Sequence, residues 1–123
     1  ILLDTHIYLW WLEDSKQLSN EARNLIVDAD EVFVSTISLW EVTIKIKIKK
    51  LDAKLKQLIE QIPLNGFNEL PLLTTHIETL TELPDFHLDP FDQMLIAQAV
   101  SEPLILLTHD TKLQPYSKLV KLI

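Results

Sequence analysis

The sequence predicts an α/β protein whose mainly parallel sheet is covered by helices on both faces. Two observations carry that prediction. Short runs such as Ile1-Leu2-Leu3, Glu31 to Ser35 and Leu104 to Thr108 lack the apolar–polar alternation of a sheet with one wet face, so they read as strands buried on both sides. Stretches with helical spacing and helix-start residues separate them, and alternating strands and helices are the pattern of parallel pairing.

Each element has its own warrant. The first strand ends at Asp4, and residues 5 to 13 follow as a helix. Ser19, with Ala22 and Leu25-Ile26 behind it, reads as the N-cap of a second helix, and Glu31 to Ser35 as the next strand. Residues 41 to 49 alternate apolar and charged residues with a period of two, the pattern of a half-buried strand. Against this, Ile37, Trp40, Ile44, Ile48 and Leu51 recur at helical spacing, and Ser38 to Glu41 opens like a first turn, so the segment is expected to be helical. Residues 52 to 61 should continue as a helix ending before Pro63. Leu64 to Pro71, with the single glycine Gly66, should be a loop leading into a short strand. Thr74 or Thr75 should cap a helix running to about Leu83. Asp89 before Pro90 reads as an N-cap with proline in the first turn of a helix to Ser101, and Leu119 to Ile123 as a last strand.

With 123 residues, 47% of them hydrophobic, residues 1–123 make one domain with a real core. There is no cysteine, which excludes disulfides, thiolate nucleophiles and zinc–cysteine sites and suits a reducing compartment. Apolar runs are broken by charge well before about 18 residues, and no signal peptide is legible, so a cytoplasmic protein without a membrane span is expected. The first residue is Ile1 and not Met, so the natural start is expected to lie upstream. A net charge of −7 argues against a general nucleic-acid coat protein. Lys45, Lys47, Lys49, Lys50, Lys54 and Lys56 nevertheless hold six of the 11 basic residues, a run that reads first as a solvated face and second as a phosphate guide.

In a parallel α/β sheet, ligands bind beyond the carboxyl ends of the strands. Asp4 ends the first strand, Asp110 follows the Leu104 to Thr108 strand, and Glu41 and Asp92 stand in the first turns of helices. Each has a bland role: Asp4 capping the helix from Thr5, Glu41 pairing with Lys45, Asp110 capping a turn, and Asp89 and Asp92 each stabilising a helix start by about 1 kcal/mol. Together the four suggest something else. Clustered carboxylates repel unless a cation stands between them, and oxygen ligands without cysteine favour Mg²⁺ or Mn²⁺. Such an ion generates a nucleophile from water and clamps a phosphodiester for in-line displacement. Thr5 and Thr108 are supporting hydroxyls that orient such groups or satisfy nearby backbone. His6, His76 and His87 read as ordinary polar or partly buried residues, and Trp10, Trp11 and Trp40 as core or interface anchors and not as base-stacking platforms.

Leu3-Asp4-Thr5-His6, Ser35-Thr36-Ile37-Ser38-Leu39-Trp40-Glu41-Val42, Asp89-Pro90-Phe91-Asp92-Gln93-Met94-Leu95-Ile96-Ala97-Gln98-Ala99 and Leu107-Thr108-His109-Asp110 resemble, in this order, the motifs of PIN-domain ribonucleases of the VapC toxin type. The resemblance covers nearly the whole chain. It implies a three-layer α/β/α sandwich and a metal-dependent endoribonuclease using Mg²⁺ or Mn²⁺. It also implies an RNA substrate, a cognate antitoxin that inserts a segment near the active site, and a homodimer. Asp4, Glu41, Asp92 and Asp110 then take the positions of the family's acidic cluster, while Asp89 stays a helix cap. The apolar, tryptophan-containing helix after Asp4 is a candidate surface for one of these partners, with at least half of it expected in the core. Gln93 stands where relatives often carry a basic residue, and His109 where they often carry a basic or small one. The alternatives are a catalytically weak PIN-like interaction module and a receiver-type signalling domain; the latter lacks its acid, since Ser35 holds the middle strand end. A haloacid-dehalogenase-like phosphatase would need a second aspartate at His6.

Overall fold

The computed structural model describes residues 1–85 and 89–123; the expectation for His87 falls outside them. Five short strands, β1 (Leu2–Leu3), β2 (Phe33–Ser35), β3 (Asn68–Leu70), β4 (Leu106–Thr108) and β5 (Val120–Leu122), form one sheet in the order β3-β2-β1-β4-β5. Every pairing is parallel: Leu2 stands opposite Phe33 on one side and Leu106 on the other. The chain leaves β1 for β2 on one flank and reaches β4 on the other, which makes the carboxyl end of β1 the switch point of the sheet.

Side chains alternate across this sheet and meet apolar partners on both faces, which is why the strands carry no polar alternation. Leu2 and Leu106 pack with Leu95 and Ile96 of α6 (Pro90–Ser101). Leu3 and Leu107 pack on the opposite face with Ile7 and Tyr8 of α1 (Thr5–Glu13), Ala22 and Ile26 of α2 (Asn20–Asp28), and Ile62 of α4 (Leu55–Leu64). The result is the three-layer α/β/α architecture. Among the described residues no helix is long and apolar enough to cross a membrane.

The ambiguous stretch lies in a helix, α3 (Thr36–Lys47). The Ser35 hydroxyl accepts the Ile37 N–H at 3.0 Å, and Ile37, Leu39 and Val42 are buried. Its period-two tail falls on the solvent end, where Lys45 and Lys47 complement the negative end of the helix dipole. Helix and chain then break at Lys49, whose φ of 59° is left-handed, and Lys50 N–H closes on the Lys45 carbonyl at 2.9 Å. That break is why the next helix, α4, starts at Leu55 and not at 52. It also runs through Pro63 instead of ending before it. The proline sits one residue from the end, where a missing N–H forfeits one intrahelical bond, and the chain turns at Gly66 (φ 73°) into β3. β3 therefore lies inside the stretch expected to be loop. A 3-10 turn, Thr111–Tyr116, has no counterpart in the sequence reading.

The helix α5 (Thr74–Leu80) is capped by neither Thr74 nor Thr75. Leu73 N–H donates to Nδ1 of His76 at 3.0 Å, so the neutral ring carries its proton on Nε2 and donates it to Glu102. His76 is fully buried, beside Gln98 of α6, whose Oε1 accepts from the Ser35 hydroxyl at 2.5 Å. This polar chain links α5, α6 and the cap of α3 through the core. His76→Ala should lower unfolding free energy by about 1–3 kcal/mol, since it empties the space of a fully buried ring and removes the partner of the Leu73 N–H and of Glu102; a denaturant midpoint unchanged from wild type would contradict this.

Candidate active site

The carboxyl ends of β1, β2 and β4 open into one cavity of about 450 Å³. Its walls are Asp4, Glu41, Asp92 and Asp110, together with Asp89, Lys45, His6, Trp10 and His109. All four predicted acids meet there, although they come from positions as far apart as 4 and 110.

Each acid is positioned by local structure. Asp4 leaves β1 and N-caps α1: Oδ1 accepts the Thr5 N–H at 2.7 Å and Oδ2 accepts the Thr108 hydroxyl at 2.6 Å. Glu41 is buried in α3; the Thr5 hydroxyl donates to Oε1 at 2.7 Å and lies 2.9 Å from the Ser38 hydroxyl. Lys45 Nζ stands 3.1 Å from Glu41 Oε2. Asp110 follows β4, its N–H donating to Thr108 Oγ1 at 3.0 Å and its Oδ1 capping the 3-10 turn through Lys112 N–H at 2.9 Å. The bland roles are thus all filled, and the same residues still converge. Thr5 and Thr108 serve as braces for Glu41 and Asp4.

Asp89 is the N-cap of α6, accepting the Asp92 N–H at 2.9 Å, as expected. Asp92 departs from the expectation that the helix start favours its charge. Burial first, then the charges of Asp4 and Asp89, a hydrogen bond to the Asp89 carboxyl and the charge of Glu41 push it up to about 8. A dipole worth about 0.3–1 kcal/mol is outweighed by desolvation among like charges. Asp4 is also raised, by burial above all, with Thr108, Thr5 and His6 opposing and Glu41 adding to the shift. Because asparagine keeps a capping oxygen, Asp89→Asn should change melting temperature by no more than a few degrees and leave most of the activity of this site intact. Loss of that activity equal to the loss in Asp92→Asn would show the pair to be divided wrongly.

Among the described residues, no three Asp, Glu or His side chains close on one point as they stand. The donor set nevertheless fits a hard divalent cation. It consists of carboxylate oxygens, and their unrelieved repulsion adds to burial in raising Asp92.

The sequence reading missed the other wall. His6 and Trp10, one helical turn apart on α1, face the cavity beside His109, and their i, i+4 spacing directly after Asp4 was the available signal. Trp10 also packs on the core, together with Trp11 and Leu12, so most of the apolar helix after Asp4 is core and not partner surface. Trp40 is 57% exposed and forms, with Ile44 and Ile48, an apolar stripe on α3. Lys47, Lys49, Lys50, Lys54 and Lys56 lie outside the buried core, as for a solvated face.

Known proteins agree with this architecture. The family model described as PIN domain matches residues 1–119. Ribonuclease VapC22 of Mycobacterium tuberculosis is 31% identical over 124 residues, which span 94% of this chain and 91% of the relative. Among solved structures, VapBC2 from Rickettsia felis, bound to a DNA fragment from its promoter, superposes with a TM-score of 0.71 at 17% identity, covering 99% of this chain and 96% of that one. A toxin–antitoxin complex from Klebsiella pneumoniae gives 0.62 at 23% identity, covering 90% and 87%. The last two bear on the fold alone. With a matching family model across almost the whole length and a relative of this identity, the chain belongs to the PIN-domain family, among proteins of the VapC type.

Proposed function

We propose that the protein is a divalent-cation-dependent endoribonuclease and the toxin of a type II toxin–antitoxin pair. The observation that carries this reading is the convergence of Asp4, Glu41, Asp92 and Asp110 on one cavity at the switch point of the sheet. The relative named as a ribonuclease supports the substrate class.

Asp4, Glu41, Asp92 and Asp110 would hold Mg²⁺ or Mn²⁺. When bound, the ion supplies a water nucleophile at neutral pH and offsets the charge that builds on a phosphodiester during in-line displacement. The chain's own part is to keep the carboxylates in place. Thr108 fixes Asp4 and Thr5 fixes Glu41, so neither has to reorganise when substrate arrives. Lys45, on the cavity wall, neutralises one oxygen of Glu41. Asp92, pushed up to about 8 beside Asp89, holds a proton near neutral pH that it would give up to act as a ligand of a divalent cation.

A cognate antitoxin is the proposed protein partner, as in the structural neighbour from Klebsiella pneumoniae, which is a toxin–antitoxin complex. The exposed Trp40, Ile44 and Ile48 stripe supports a homodimer. The cysteine-free composition supports a cytoplasmic setting. A panel of cellular RNAs incubated with the purified protein in Mg²⁺, Mn²⁺ or chelator tests the enzymatic reading: cleavage with an ion and none with chelator is expected. Intact RNA with both ions would overturn it in favour of an interaction module.

A further inference from the structure

The cavity carries five carboxylates, and Lys45, the cation on its wall, is already engaged 3.1 Å from Glu41. In a chain of net charge −7, phosphate attraction by lysine and arginine therefore contributes little near the carboxylates. Beyond the one phosphate that a bound cation would hold, something other than charge must grip the strand there.

The wall formed by His6, Trp10 and His109 can do so. The Trp10 and His109 rings meet edge to face, with centroids 5.3 Å apart at 71°, and His6 stands against Trp10 at 6.0 Å. The corner is braced from both sides. Trp10 is half-buried against the core, and His109 Nδ1 donates to the main-chain oxygen of Ile123 at 2.7 Å. Rigid aromatic faces beside a nuclease site offer what the acids cannot: stacking, which needs no positive charge and accepts any base. The cavity's volume of about 450 Å³ falls within the range of about 300–1,000 Å³ typical of small-molecule sites, room enough for a base beside its phosphate. A base inside a duplex has both faces covered and cannot enter such a corner.

We infer that the His6, Trp10 and His109 wall is a nucleobase subsite, on which one unpaired base of a single-stranded RNA stacks next to the phosphodiester presented to the carboxylates. The inference rests on the ribonuclease reading for its choice of RNA, but its test reads binding and not cleavage.

The probe is a ten-nucleotide single-stranded RNA of mixed sequence, titrated into Asp92→Asn protein with Mg²⁺ and followed by anisotropy and by quenching of tryptophan emission. The matched probes are an abasic ribose-phosphate decamer and a duplex of the same sequence. The intact strand should bind about 5- to 150-fold more tightly than the abasic one, the span that corresponds to loss of one stacked base. Adding Trp10→Leu should bring it close to the abasic level, and Trp10→Phe should restore most of the difference. His109→Ala, at an exposed position, should weaken binding several-fold without touching the core, so the test stands even if Trp10→Leu fails to fold. Equal binding of intact and abasic strands, equal binding of the duplex, or unchanged affinity in both Trp10→Leu and His109→Ala would overturn the subsite. Base-dependent binding without RNA cleavage by wild type would remove the nuclease reading and leave the subsite standing.

Discussion

Asp92→Asn and Asp4→Asn should each lower RNA cleavage by about 10²-fold or more, beyond the roughly 10- to 100-fold range seen when only a supporting partner of a metal ligand is removed. Both variants should keep the fold. In Asp4→Asn the new side chain retains one oxygen for the Thr5 N–H and turns its amide toward the Thr108 hydroxyl, which can accept as well as donate. At position 92 the carboxyl is already protonated near neutral pH in the metal-free protein, so the uncharged amide resembles the resident form. Initial rates on a cleaved RNA, alongside far-UV circular dichroism, separate loss of chemistry from loss of structure. Full activity in either variant at the same metal concentration would remove that residue from the acid cluster.

The metal-free protein should lose stability as pH rises from about 4 to about 8. Asp92 titrates near 4 when unfolded and is pushed up to about 8 when folded, so between these values the native state binds the extra proton. Stability then falls with increasing pH, present in full below the unfolded value and lost as pH passes the folded one. Asp4, also raised, adds in the same direction. Melting curves in chelator at pH 5, 6, 7 and 8 should show a declining midpoint, and Asp92→Asn should flatten the decline. Mg²⁺ should restore the wild-type midpoint at pH 8, because an ion bound only by the native state stabilises by mass action, and should raise that of Asp92→Asn less. A midpoint independent of pH in the wild type, with Mg²⁺ acting alike on both proteins, would mean that these acids do not share a cation.

Much of this architecture was legible because local chemistry and global packing agree. Ser19, Asp89 and Pro90 mark helix starts by their own hydrogen-bonding capacity, and the apolar strands announce a sheet covered on both sides. Failures came where a tertiary partner decides. His76 caps α5 only because Glu102, from the far end of α6, accepts the hydrogen bond of its Nε2–H and leaves Nδ1 free to accept, and no spacing rule joins positions 76 and 102. Pro63 stays helical because it falls in a final turn, a boundary that pattern alone places poorly. For the site, the acids stood out by charge in apolar surroundings, whereas Trp10 hid behind its resemblance to a core residue, which in part it is. The charge state of Asp92 was hidden too, since it depends on how closely residues from β1 and α3 approach the start of α6.

The placement of β1 between β2 and β4 bears on when, during synthesis, the site can assemble. Asp4 leaves the ribosome well before its brace, Thr108, and its neighbour, Asp110, which are made more than a hundred residues later. A nascent chain halted before β4 has half of the central strand's pairing and an incomplete ring of acids. Such early-to-late contacts form only after long loops close, so unfinished chains should be inert toward the very RNA from which they are being translated. Stalled fragments ending near residue 103, released and assayed on RNA, should show no cleavage; activity in them would mean that the site can assemble without its last strand pair.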